Sequence, residues 1–349
     1  MEVEAQDFRR AGRQVRPFVE SSGVRCRGRS KGLERALTDF GVDEPYVKAA
    51  AKVREHYGID VGPSTIRRDC IRHGEQSREY AETAPRRAEN QKEINAQADG
   101  CMVPCVRRNP DSGDRDLFWK EMRICAAFPQ GSKTPFYAGG IIDGGVERAG
   151  KDLFHAVWCA GFGPESFVYG LGDGASWIKD QFAVQFGEQQ SYLIDLYHLC
   201  EKLAEASPAF AESPDKQKDW VSCQKDRMKV GHLKKVTAAL ASRLEPEDVA
   251  DENAPVRRCH RYILNRPGQF EYFDAIANDR PIGSGAIESA NRSVVQMRMK
   301  KPGAWWRIEN AEKMVALRIL RANGQWDDYW AALKHDNGNG RLNHQKAAA

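Results

Sequence analysis

Residues 167–199, FVYGLGDGASWIKDQFAVQFGEQQSYLIDLYHL, set the reading of the whole chain. An apolar run (Phe167, Val168, Tyr169, Leu171) stops at Asp173, which Gly172 and Gly174 flank. Ile178, Phe182 and Phe186 follow at helical spacing. A second apolar run, Tyr192 to Ile194, stops at Asp195, and His198 lies three positions further on. Strand, turn, helix, strand, turn, helix is the rhythm of a parallel α/β sheet. In such sheets functional side chains gather at the carboxyl ends of strands, where Asp173 and Asp195 stand.

Upstream, residues 94–165 read mainly as strands: Ile94 to Asp99, Met102 to Val106, Leu117 to Phe128, Phe136 to Asp143 and Leu153 to Trp158. Downstream, residues 207–281 are rich in Lys, Glu, Ala and Arg, with helical periodicity at Leu233, Val236 and Leu240, and read as an all-helical insertion. Then comes RPIGSGAIESANRSVVQMRMKKPGAWW. Ser284 is placed to cap a helix whose buried face is Ile287, Ala290, Val294 and Met297. Glu288 and Arg292 share another face. A last helix spans about Glu309 to Ala322, with Met314, Leu317 and Leu320 inside. The expected class is α/β, a mixed sheet with an all-α insertion, preceded by a small helical domain.

The N-terminal third has another character. Arg9, Arg10, Arg13, Arg16, Arg25, Arg27, Arg29, Lys31 and Arg35 meet only Glu20 and Glu34 between residues 9 and 35, a basic arm suited to a polyanion. Short helices are expected around Leu33–Leu37 and Val47–Tyr57. A third begins at Ser64 as cap and ends at Gly74, with Ile66, Cys70 and Ile71 inward. Thr65, Arg68 and Arg72 share its outer face, with Arg67 beside them. Three short helices ending in a basic one describe a helix-turn-helix; a small bundle with solvated arginines is the plainer reading. The expected domains are a basic arm (1–30), the helix-turn-helix (31–75), a linker (76–93), an α/β domain (94–330) holding the insertion (207–281), and a polar tail (331–349).

With 349 residues the chain can bury a full core, and its net charge of +4 names no partner by itself. No apolar run approaches the roughly 20 residues that span a bilayer. The nine cysteines are scattered, several in apolar runs, as cytosolic thiols are. Cys101-x-x-x-Cys105, Cys259-His260 and His155-x-x-x-Cys159 make no complete zinc set. No phosphate-binding glycine loop is present. Asp99, Asp173 and Glu288 stand out as acids at element ends. Hard oxygen donors of this kind suit Mg²⁺, and paired ions serve phosphodiester chemistry; a carboxylate at a strand end is also an ordinary turn residue.

GDGASWI, the later DLYH, the IESANR block with its tryptophans and AEKMVALRILRANGQWDDYW resemble bacterial insertion-sequence DDE transposases of the ISKra group, related to Mutator-like elements. The resemblance covers about Asp99 to Trp330. It implies a ribonuclease-H-like core with an α-helical insertion before the final acid. Asp99, Asp173 and Glu288 then match the three acids, holding Mg²⁺ (or Mn²⁺ in its place). Asp195 and His198 match a D-x-x-H element, with His198 either catalytic or a satisfied structural histidine. Asp143, in IIDGG, is the rival first acid. The implied activity is cutting and joining of insertion-sequence ends, with double-stranded DNA (terminal inverted repeats and target) as partner, a homo-oligomer on DNA, and a cytoplasmic, nucleoid-associated location. Arg292, Arg298, Lys300 and Lys301 are candidate phosphate contacts, and Trp305 and Trp306 could stack on an unpaired base. The alternatives are an inert, domesticated DNA-binding protein and a ribonuclease-H-like nuclease without strand transfer.

Overall fold

The computed structural model describes residues 8–10, 13–15, 29–83, 88–141 and 145–335. The chain divides into two compact units, neither continuous in sequence. One comprises residues 1–84, 103–119 and 294–349, and the other residues 85–102 and 120–293. Most of the basic arm, the end of the polar tail and Asp143 lie outside the described residues.

The first unit opens with a short hairpin, β1 (Phe8–Arg10) and β2 (Arg13–Val15). Three helices follow, α1 (Lys31–Asp43), α2 (Tyr46–Tyr57) and α3 (Pro63–Thr83). Ser30 caps α1 by accepting from the Leu33 N–H, and Gly58, at φ 65°, ends α2 in the left-handed conformation that suits glycine. The third helix begins at Pro63, so Ser64 lies inside it rather than capping it. It also runs past Gly74, where a stop was expected, to Thr83. A Cβ at Gly74 would collide with the Lys313 backbone, so this glycine serves close helix packing instead of termination. Residues 76–83, expected as linker, are therefore helical.

In the second unit the strands are β3 (Glu93–Arg108), β4 (Arg115–Pro129), β5 (Phe136–Ile141), β6 (Phe167–Gly172) and β7 (Gln190–Ile194), in the order β5-β4-β3-β6-β7. The first two continue into residues of the other unit. β6 pairs parallel with β3 and β7, and β5 antiparallel with β4. The sheet is mixed and the fold is α/β. Helix α4 (Gly145–Cys159) precedes β6, and α5 (Ser176–Phe186) joins β6 to β7. Leu153–Trp158, expected as a strand, is therefore the end of a helix. Ala149, Leu153, Ala156 and Val157 recur at helical spacing and are buried. A short apolar run alone does not separate the two conformations.

Helix α6 (Leu196–Ala206) leads into α7 (Pro214–Lys229), α8 (Leu233–Ala241), α9 (Pro255–Leu264) and α10 (Tyr272–Ala277), so the stretch read as an insertion contains only helices and turns. Ile94, Ala96, Leu153, Phe182, Leu199 and Ile263 belong to one buried apolar cluster spanning sheet and helices. Next come α11 (Gly285–Ala290), a π-helical turn (Asn291–Gln296) and α12 (Met297–Met299). Finally α13 (Ile308–Ala322) and α14 (Trp326–His335) rejoin the first unit. No helix of the described residues is long and apolar enough to cross a membrane.

Candidate functional site

The register of the three parallel strands aligns the acids. Gln97 is level with Leu171, and Leu171 with Leu193. Two residues further along each chain come Asp99, Asp173 and Asp195. The Asp195 N–H donates to the Gly172 carbonyl at 2.8 Å, continuing the ladder. Neighbouring strands lie about 4.8 Å apart, so these acids occupy adjacent positions on one sheet edge. Asp99 was expected to end its strand. It instead lies within β3, just beyond the stretch paired with β6.

Side chains alternate along β3. Ile94, Ala96 and Ala98 enter the apolar cluster, while Asn95, Gln97 and Asp99 share the other face. The segment carrying Glu288 crosses that face. The Tyr169 hydroxyl donates to the Pro281 carbonyl (3.0 Å), and Asp195 Oδ2 accepts from the Ser284 N–H and hydroxyl (both 2.5 Å). Gln97 Oε1 accepts from the Ile287 N–H (3.0 Å), and Asn291 Nδ2 donates to Asp99 Oδ2 (2.6 Å). Helix α11 is thus pinned to β7 at one end and β3 at the other, with Glu288 between the pins. The Ser284 side chain does not cap its own helix as expected. It reaches Asp195, and Glu288 Oε1 lies 3.4 Å away.

Asp195 is fully buried. Its Oδ1 accepts from the Tyr197 N–H (2.5 Å) and His198 N–H (3.3 Å), capping α6, so it holds the elements together. His198 is half-buried, and its Nδ1 is 3.2 Å from Glu201 Oε2. The Asp173 turn is held from outside. Its Oδ1 accepts from the Ala175 N–H (2.8 Å), and its carbonyl accepts from the Tyr262 hydroxyl (3.0 Å). Arg266 stacks on the Tyr262 ring at 4.0 Å and donates to the Gly174 carbonyl. Gly174 has φ 89°, and a Cβ there would strike the Tyr262 hydroxyl, so no other residue fits this turn.

Burial raises the Asp99 carboxyl to about 6. The Asp173 and Glu288 charges push the same way, opposed by the Gly100 N–H and His198. The three acids therefore share one electrostatic neighbourhood. Among the described residues, no three His, Cys, Asp or Glu side chains are gathered as a metal-ligand set. The described cysteines are all free thiols.

The basic residues separate into three groups. Arg67 and Arg68 are exposed on α3, Arg292 on the π-helical turn and Lys300 just after α12, while Thr65 is half-buried. Arg72 and Lys301 are engaged, Arg72 with Glu34 (3.1 Å) and Asp69 (3.3 Å), Lys301 with Glu44 (3.9 Å). Arg298, expected to meet phosphate, is 3% exposed. Its guanidinium lies between the Tyr46 ring (5.0 Å) and the Trp306 ring (4.8 Å), and its Nε donates to the Gly41 carbonyl. It is a packing residue. The reason is the π-helical turn, which inserts an extra residue per turn and advances the buried face by one. Met297, expected inside, is 62% exposed in consequence.

Gln97, Asn291, Tyr262 and Arg266 support the site without having been singled out in the sequence as site residues, and Ser284 was expected only as a helix cap. Gln97 carried a usable signal, an amide two residues before Asp99 in a strand whose alternate positions, Ile94, Ala96 and Ala98, are apolar.

Residues 164–331 match the model of an uncharacterised protein family, UPF0236. Comparison with curated proteins finds no match. Among solved structures, the Drosophila P element transposase strand transfer complex is similar at 8% identity and a TM-score of 0.28, over 91% of this chain and 83% of that one. A likeness that loose has no bearing on the chemistry.

Proposed function

We propose that this chain is a DDE transposase, built on a ribonuclease-H-like sheet, that cuts and joins the ends of an insertion sequence. The observation that carries the reading is the placement of Asp99 and Asp173 at level positions of adjacent parallel strands, with the helix of Glu288 hydrogen-bonded across that face through Ser284, Ile287 and Asn291. The all-helical stretch between the second and third acids supports it, as does the resemblance of the GDGASWI and IESANR blocks.

The donor chemistry fits Mg²⁺. Asp99 and Asp173 stand at neighbouring strand positions, with Glu288 on the helix laid across them, and burial together with the neighbouring acids raises the cost of ionising Asp99, a cost that a cation would offset. Asp99, Asp173 and Glu288 would hold the ion, the Asn291 amide giving up part of its hold on Asp99. An Mg²⁺ ion held there would supply Lewis-acid activation of water and of the departing oxygen. The protein's own part is positioning. Asp195 and Ser284 fix the helix that carries Glu288, and Tyr262 and Arg266 fix the turn that carries Asp173. His198 sits within electrostatic reach of Asp99, and its ring N–H can donate to a phosphate.

The test is incubation of the purified protein with Mg²⁺, labelled DNA bearing the element's own ends and a target plasmid. Labelled ends covalently joined to the target are the expected product. Cut ends that never join would leave a nuclease, and DNA bound but uncut would leave a DNA-binding protein.

A further inference from the structure

Within the first unit lies a groove of about 640 Å³. Six arginines line it, Arg67, Arg107, Arg108, Arg115, Arg298 and Arg307, and no Asp or Glu does. All but Arg298 are exposed. Arg107 is 3.4 Å from Asp116, and Arg108 donates to the Gly113 carbonyl. Arg67, Arg115 and Arg307 have no ion pair among the described residues. Cations left uncompensated around a concavity repel one another, and a polyanion relieves that repulsion. Two of the arginines, Arg67 and Arg307, also line the adjoining hollow along α3.

Trp305 also lines the groove, next to a residue whose backbone is hydrogen-bonded to β3. After the turn at Gly303, the Trp306 N–H donates to the Pro104 carbonyl, and the Val106 N–H donates to the Trp306 carbonyl. Trp306 is thereby bound to the edge of β3 and buried, its indole N–H donating to the Met299 carbonyl. Adjacent residues of an extended segment point to opposite sides, so Trp305 is turned outward. It is 41% exposed and meets Trp119, itself 54% exposed, edge to face at 6.3 Å. A tryptophan at the margin of an arginine groove matches the combination that holds unpaired nucleic-acid strands, phosphates on cations and bases on aromatic faces. The volume lies in the range of about 300–1,000 Å³ typical of pockets for small ligands, which suits a nucleotide or two and not a duplex.

We propose that this groove binds an unpaired DNA strand, with phosphates on Arg67, Arg115 and Arg307 and a base stacked on Trp305. The reading above enters only in taking the strand to be DNA; the carboxylates play no part in the binding.

The experiment uses the full chain without Mg²⁺, so that cutting is not required. Fluorescence anisotropy follows a labelled oligothymidylate and a blunt duplex of equal length. Trp305→Ala is expected to weaken oligothymidylate binding about tenfold while moving duplex binding less than about twofold, and Trp305→Phe to restore most of the loss. Arg67→Ala combined with Arg307→Ala should weaken binding and lower the slope of log affinity against log salt by about 1.4, two phosphate contacts at about 0.7 each. Circular dichroism confirms that each variant is folded. Oligothymidylate affinity unchanged in the folded Trp305→Ala and double-arginine variants would overturn the proposal. So would inorganic polyphosphate competing as well as oligothymidylate, with Trp305→Ala indifferent to both. Because no cutting is read, failure here leaves the carboxylate site untouched, and failure of DNA cutting leaves the groove untouched.

Discussion

Asp99 is a carboxyl that the fold makes reluctant to ionise. Its folded-state value of about 6 lies above the ordinary 3.8, so the folded protein binds this proton more tightly than the unfolded chain does. For this group, stability is highest in acid, declines as pH rises from about 4 through 6, and stays reduced above. Asp99→Asn removes that cost and keeps an oxygen to accept from Asn291. The variant is expected to be more stable than the parent by about 1–2 kcal/mol at pH 8, the gain shrinking towards zero near pH 4, as read from urea unfolding. No gain at pH 8 would mean that Asp99 ionises at ordinary cost. Asp195 is fully buried, and both of its oxygens accept hydrogen bonds. Asp195→Ala should lose about 2–4 kcal/mol, since it uncaps α6 and strands the Ser284 donors, whereas Asp195→Asn keeps the cap and should lose less. Equal losses in the two variants would contradict a capping role.

At the scale of elements, the unit β6–α5–β7 was legible because apolar runs of strand length end in Gly-Asp and Ile-Asp, and a run of helical period lies between them. The helical insertion was legible through composition. Three features were not. The end of α4 reads equally as a strand, because Leu153-Phe154 and Val157-Trp158 place apolar residues on both periods. Gly74 has the local chemistry of a stop, but the helix runs through it, and its lack of a Cβ admits the backbone at Lys313. The π-helical turn leaves no mark in composition, yet it moves Arg298 from a presumed phosphate contact into the core. Helix α3 carries its own prediction. His73 is buried on it, its Nδ1 2.8 Å from the Tyr329 hydroxyl and its ring 4.4 Å from Trp330. Burial, with Arg72, Arg29 and Lys31 nearby, pushes the imidazole down to about 3, despite Glu34 at 3.8 Å. A histidine held below its ordinary 6.5 contributes stability that is complete above pH 6.5 and is lost as pH falls towards 3. His73→Gln, which keeps a hydrogen-bonding atom but cannot charge there, should flatten that acid loss by about 2 kcal/mol at pH 4, measured by denaturant unfolding across pH. An unchanged acid slope would show that His73 is not neutral in the fold.

For the molecule as a whole, the two compact units each draw on separated stretches of chain, so a reading in consecutive blocks captures the elements better than their grouping. The acids of the candidate site come from residues 99, 173, 195 and 288, all in one unit, and the arginine groove from residues 67 to 307 in the other. The sequence pointed to Asp173 and Asp195 because each ends an apolar run, and to Asp99 and Glu288 chiefly through the resemblance of the blocks around them. Of the groove, the sequence named Arg67, Arg298 and Trp305 singly as nucleic-acid contacts, but not their meeting with Arg107, Arg115 and Arg307, which lie far apart in the chain. The central claim is that Asp99, Asp173 and Glu288 act as one set on DNA. The most direct measurement compares the parent with Asp99→Asn, Asp173→Asn and Glu288→Gln for Mg²⁺-dependent nicking at labelled element ends, with DNA retardation followed in the same samples. The account predicts nicking by the parent alone, a loss of at least about a thousandfold in every variant, and retardation retained within about threefold. Nicking by Asp173→Asn at the parental rate would contradict it.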